Sequence, residues 1–84
     1  MSTVLAASPK VVGAKQVRRA LNAGTATRIY IAQEADPALL QPLVQLAVNQ
    51  NVPVEQVPTM KQLGTDCGIA VGAAVAALIS VLTE

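Results

Sequence analysis

"KVVGAKQVRRALNAGTATRIYIA", residues 10–32, reads as a strand, a helix and a second strand in one run. "KVVG" has the β-branched character of a short strand. From Gly13 onward Val17, Ala20 and Leu21 recur at helical spacing, and Gly24 stands where a helix C-terminal glycine belongs. "AKQVRRALNAG" is therefore a short amphipathic helix with Val17, Ala20 and Leu21 on its apolar face. Lys15, Gln16 and Arg19 are left toward its first turns and exposed side. Positions 15 and 19 share a face, and 16 and 19 are three apart. "RIYIA" is β-branched and aromatic without clean alternation, the pattern of a strand buried on both faces.

Downstream the same alternation of elements continues. Asp36 followed by Pro37 is a helix start, the Asp as cap and the Pro at the first helical position. Pro42 would break a helix already under way, so a brief opening turn is expected, then a helix from about residue 41 to 50 with Leu43, Leu46 and Ala47 as its stripe. "VPVEQVP", residues 52–58, is a second main strand, and Pro53 argues for an end or edge position. Thr59 can cap a helix through "MKQLGTDCG", with Gly64 as a weak point and Gly68 as the stop. In the tail "AVGAAVAALISVL", residues 70–82, Ala favours helix while Val71, Val75, Ile79 and Val81 favour strand, and periodicity cannot decide so short a run. Residues 1–9 read as a frayed lead-in. The element order is that of an α/β/α layered domain, without internal repeats.

An 84-residue chain supports one domain with one core. Hydrophobic residues make up 52% of it and aromatics 1%, so Val, Leu, Ile and Ala must build that core. Tyr30 is the single aromatic residue, which excludes a single-strand binder that stacks bases on several rings. With no His and one Cys, a His/Cys zinc site, a disulfide framework and a Ser-His-Asp triad are excluded by inventory. Cys67 is expected to be a buried small hydrophobe rather than a reactive thiol. "MSTVLAASPK" has no export-signal pattern, so a cytoplasmic location is expected. The low-polarity stretch 67–82 falls short of the roughly 20 residues that cross a bilayer, so no membrane association is expected.

Charge is more informative by position than in total. The formal net charge is +1, yet Lys10, Lys15, Arg18, Arg19 and Arg28 all precede the first acid, Glu34, and only Lys61 lies later. Such asymmetry is expected of a phosphate-facing patch. At Gly13 the amides of a helix start face outward, and Lys15, Arg18 and Arg19 add charge there. Lys or Arg can donate to guanine O6 and N7, and Gln can both donate and accept at a base edge, so Lys15, Gln16 and Arg19 form a candidate base-reading trio. A solvated helix face is the alternative reading. An enzyme would have to use Glu34, Asp36, Glu55, Asp66 or Glu84, with a Lys or Cys67 as nucleophile. No pattern pairs them, so neither catalysis nor a cofactor or metal is expected.

The blocks "GAKQVRRAL", "IAQEADP" and "VPVEQVPTMKQLGTDCGIAVGAAVAALI", in that order, resemble the kink-turn-binding ribosomal-protein family of the archaeal L-seven-Ae type, above all its short bacterial members. The resemblance spans residues 10–82. It implies an α/β/α sandwich around a central mixed four-stranded sheet, with a core strand in the tail. The implied partner is structured RNA, ribosomal or riboswitch: a sharply bent duplex with tandem sheared G·A pairs. Gly13 matches the family's close-approach glycine, and Arg19 its basic residue on the first helix. Lys15 and Gln16 stand where the family often has Asn-Glu, which adds a cation and replaces an acceptor-only carboxylate with an amide. The resemblance implies a second contact from the loop "CGIAVG", with Ile69 and Val71 covering an extruded nucleotide and Ala70 between them; ordinary core is the other reading of these side chains. Lys10, Arg18, Arg28 and Lys61 would attract phosphate. Asp36 is expected as a cap, and Glu34 as solvated or positioning a neighbouring cation. The protein is expected to be monomeric without RNA. The competing function is a protein-interaction or self-association module using the Ala-rich C-terminal region.

Overall fold

The tail that propensity leaves undecided forms a central strand. The computed structural model describes residues 8–80. Its elements are β1 (Lys10–Val12), α1 (Ala14–Ala23), β2 (Ala26–Ala32), α2 (Pro37–Asn49), β3 (Val54–Val57), α3 (Met60–Cys67) and β4 (Val75–Ile79). The sheet order is β1-β4-β2-β3. β4 runs antiparallel to both neighbours, pairing Val12 with Ala76 and Ile31 with Val75, while β3 lies parallel to β2 at the edge. Buried Val75, Ala76 and Ala77 show why strand wins over the helical preference of Ala. A site hydrogen-bonded on both sides and covered on both faces outweighs a propensity difference of about 1 kcal/mol.

Successive side chains of a strand point to opposite faces, and β2 uses both. Ile31 lines a hollow with Leu40, Gln41 and Val44 of α2. Its neighbour Tyr30 lies on the other side, close enough to α3 for the Cys67 thiol to influence its phenol. Helix α1 packs beside α2, so the layers are α1 and α2, the mixed sheet, then α3. The expected α/β/α sandwich is the observed fold. Val17, Leu21, Ile29, Leu63 and Val75 are enclosed at its centre, and among the described residues no buried side chain is polar or charged.

Two expectations need correction. Pro42 does not break its helix: α2 runs unbroken from Pro37 to Asn49. Pro42 falls early in the helix on its exposed side, so it removes one backbone bond near the start while buried Leu40, Leu43 and Ala47 hold the segment to the sheet. Pro9 does not belong to a frayed lead-in, since its carbonyl accepts from the Ile79 amide at 3.1 Å. Residues 1–7 of that lead-in, and Val81 to Glu84 of the tail, lie outside the described residues. The Asp36 cap is observed as read, Oδ1 accepting from the Ala38 amide at 2.9 Å.

Candidate nucleic-acid interface

Gly13 creates the start of α1. Its φ of 102° and ψ of 149° turn the chain sharply out of β1, a backbone region that only glycine occupies without strain. No side chain caps the helix that follows, and no acid occupies its first turn. The first amides of a helix have no intrahelical acceptor, so this end presents donors and a positive partial charge to its surroundings. Lys15, Arg18 and Arg19 reinforce that charge, and with Ala14 they line an open hollow of about 480 Å³. Gln16 is exposed one helical strip beyond Arg19. Arg18 also borders the cleft between α1 and α2, beside Asn22, Leu43 and Gln45.

The loop of residues 68–74 returns the chain from α3 to β4. Ile69 and Val71 are 36% and 70% exposed, and Ala70 is exposed between them, so the core reading of these residues does not hold. The backbone beneath them is fixed. The Ile69 amide donates to the Gly64 carbonyl and the Ala73 amide to the Met60 carbonyl, each at 3.0 Å. Gly64 is a seat for the loop rather than a weak point of α3: a Cβ there would collide with the Val71 carbonyl oxygen and lie 3.1 Å from the Gly72 Cα.

The sheet register brings some predicted residues together and separates others. The Gly13 amide donates to the Val75 carbonyl, and the Ala32 amide to the Ala74 carbonyl, both at 2.9 Å. The start of α1 and the exit of the 68–74 loop therefore meet at one end of the sheet. Lys61 lies on the first turn of α3, next to Met60, which is bonded to that loop. Lys10 and Arg28 both pair with Leu78, one from each side of β4. That level is three residues from Val75, roughly 10 Å along the strand. Arg28 also bonds the Glu55 carboxylate at 3.2 Å. The structure does not bring Lys10 or Arg28 to the start of α1.

Glu34 is neither simply solvated nor set against a cation; its Oε2 accepts from the Met60 amide at 2.8 Å and caps α3 beside Thr59, whose Oγ1 accepts from the Gln62 amide. Sequence reading missed this because the partners are 26 residues apart and no local spacing signals the contact. Burial pushes the Cys67 thiol above its ordinary pKa, an effect opposed by Lys10 and reinforced by Asp66. Burial likewise raises the Tyr30 phenol; the Glu55 charge adds to this and Arg28 opposes it. The hollow between α2 and β3 is lined by Ile31, Leu40, Val44 and Val54 with glutamines at its rim, and none of its lining residues is acidic. Among the described residues no helix is long and apolar enough to cross a membrane.

A mixed sheet between helical layers, with an uncapped basic helix start beside a seated apolar loop, defines a class of small α/β domain with a cationic surface at one sheet end. The chain belongs to the ribosomal protein L7Ae/L30e/S12e/Gadd45 family, whose sequence pattern matches residues 2–82. It is 46% identical over 76 residues to an RNA-binding protein of Geobacillus sp. (strain WCH70), covering 90% of this chain and 93% of that one. It is 43% identical, with the same coverage, to the RNA-binding protein YbxF of Geobacillus stearothermophilus. The Giardia lamblia 15.5kD RNA binding protein superposes with a TM-score of 0.80 at 26% identity, over 87% of this chain and 62% of that protein. This chain thus spans less than two thirds of the Giardia protein. A Bacillus halodurans protein of unknown function superposes with a TM-score of 0.84 at 19% identity, over 94% of this chain and 83% of that one, a likeness of fold.

Proposed function

We propose that this protein binds kink-turn RNA and stabilises its bent state, without catalysis, as a cytoplasmic monomer. The Gly13–Val75 hydrogen bond carries the reading, because it holds the basic start of α1 against the strand that the Ile69–Ala70–Val71 loop feeds. The Geobacillus relatives at 46% and 43% identity both bear the name RNA-binding protein, which supports the same reading. In this account Lys15, Gln16 and Arg19 meet the guanine edges of the tandem G·A pairs, with Gly13 letting backbone come close. Arg18 and Lys61 attract phosphate, and Lys10 adds longer-range attraction. Arg28 is left out, since Glu55 already neutralises it. Ile69 and Val71 cover an extruded base, for which their exposure suits them.

The mechanism is population shift. A kink-turn samples open and bent states, and a protein that fits only the bent state enriches it by its differential affinity. Fluorescence energy transfer between dyes on the two duplex arms tests this. Added protein should raise the bent fraction; an unchanged fraction at saturating protein would overturn the proposal.

The exposed apolar loop also favours a second reading, in which Ile69 and Val71 bind a protein partner or a second copy. Gel filtration separates the two. A monomer that shifts only when RNA is added supports RNA binding, and a salt-resistant oligomer indifferent to RNA supports the alternative.

A further inference from the structure

The Glu34 carboxylate sits at the head of a run of hydrogen bonds that ends at the start of α1. Its Oε2 accepts from the Met60 amide at 2.8 Å. The Met60 carbonyl accepts from the Ala73 amide at 3.0 Å, the next carbonyl, Ala74, accepts from the Ala32 amide at 2.9 Å, and the Val75 carbonyl accepts from the Gly13 amide at 2.9 Å. Gly72 lies against Met60 in the same place, where an added Cβ would stand 3.3 Å from the Met60 carbonyl oxygen. Met60 is thus the point on which the end of the 68–74 loop rests, and Glu34 fixes Met60 from the turn after β2.

Thr59 already caps α3 through the Gln62 amide. The helix therefore has a local cap of its own, and the Glu34 bond does something different: it ties the α3 start to the β2–α2 turn. A bond to an ionised acceptor is about twice as strong as a neutral one. It also places a negative charge at a helix N-terminus, where the dipole favours it.

We propose that Glu34 is a positioning residue for RNA binding, holding the Ile69–Ala70–Val71 loop at the height of the α1 start by clamping Met60, without touching RNA itself; this rests on the kink-turn reading above. The loop's backbone rests on α3 at Gly64 and Met60 and is held at its exit by the Ala32 amide on the Ala74 carbonyl; of the two α3 carbonyls, that of Met60 bonds the residue next to that exit, Ala73. Releasing Met60 leaves the loop held by Gly64 at one end and by Ala32 at its exit, while the stretch between them, which carries Ala70 and Val71, loses its rest on α3. The contribution of Glu34 should therefore be shared with the loop side chains and independent of Arg19.

The test combines hydrogen exchange on the free protein with titration of a kink-turn duplex carrying tandem G·A pairs. Glu34→Ala should speed exchange of the Met60 and Ala73 amides about tenfold, while buried amides such as Val17 stay protected. It should also weaken kink-turn binding about tenfold in wild-type and Arg19→Ala backgrounds alike, but far less in a Val71→Gly background. Glu34→Gln keeps a neutral acceptor and should recover about half of both losses. Faster exchange throughout the protein, with RNA affinity unchanged, would reduce Glu34 to an ordinary stabilising cap and overturn the proposal. Full additivity with Val71→Gly would do the same. If the wild type ignores the duplex, the kink-turn reading fails by itself, and the exchange of Met60 and Ala73 still decides whether Glu34 clamps the loop.

Discussion

The Gly13 amide and the Val75 carbonyl are 2.9 Å apart, a bond that joins the first turn of α1 to the strand entered from the 68–74 loop. The two are 62 positions apart in sequence yet adjacent at one end of the sheet, because β4 inserts between β1 and β2. Both arms of the proposed RNA clasp hang from that junction. Gly13 has open space where a Cβ would go, so its constraint is conformational rather than steric. Gly13→Ala should lower stability by about 1–3 kcal/mol through strain at φ 102°. A urea titration reads the loss, and RNA affinity measured on the folded fraction should fall with it.

Arg19 and Arg28 are both exposed or half-exposed arginines, but only Arg19 faces the α1 hollow. Arg19→Ala should cost about 1–3 kcal/mol of RNA binding and relax the preference for tandem G·A pairs. Arg28→Ala should leave both affinity and salt dependence nearly unchanged. Its ion pair with Glu55 is solvent-exposed, so the stability loss should stay within about 1 kcal/mol. Equal losses of RNA affinity from the two substitutions would show that charge, not geometry, governs binding.

Gly64→Ala separates helix propensity from packing. Propensity alone would favour Ala by about 1 kcal/mol. The collision with the Val71 carbonyl opposes it, and displacing backbone to relieve an overpacked contact costs about 1–3 kcal/mol. Thermal unfolding should show a lower Tm for Gly64→Ala, with weaker RNA binding because the loop must lift. A raised Tm would mean that the loop is not seated on α3.

Tyr30 and Cys67 set an alkaline limit. Burial holds the phenol above its ordinary value of 10.0 and the thiol above 9.0, so both neutral forms are favoured by folding. In the unfolded chain these protons are lost first, and stability falls as pH rises through and beyond about pH 9–10. Below that range the contribution is complete. The urea midpoint should therefore hold steady from neutral pH to about pH 8 and then decline, and Tyr30→Phe should shallow the decline. At neutral pH the protonated, buried Cys67 should react with iodoacetamide only as fast as the protein opens.

How far these features are legible in sequence follows the range of the interactions behind them. Helix α1 is readable because its signals are local: Val17, Ala20 and Leu21 on one face and Gly24 at the end. The Asp36 cap is local too, acting on the amide two residues ahead. β4 is not readable from its residues, since Ala76 and Ala77 become strand through neighbours that lie dozens of positions away. Pro42 misleads because the local rule for proline ignores the burial of Leu40 and Leu43 on either side. The basic residues of the candidate site are visible as charge before Glu34, but which of them share a surface is decided by tertiary packing, which leaves Arg19 on the α1 hollow and pairs Arg28 with Glu55. The pairing of Glu34 with Met60 leaves no sequence trace at all.

Recognition of bent RNA is proposed to need the α1 start and the apolar loop together. It is tested most directly by titrating the protein against a kink-turn duplex and against the same duplex with its tandem G·A pairs replaced by Watson–Crick pairs, at fixed salt. Binding to the kink-turn should be tighter by about three orders of magnitude, the low end of the range for specific over non-specific sites. Equal affinity for the two duplexes would contradict it.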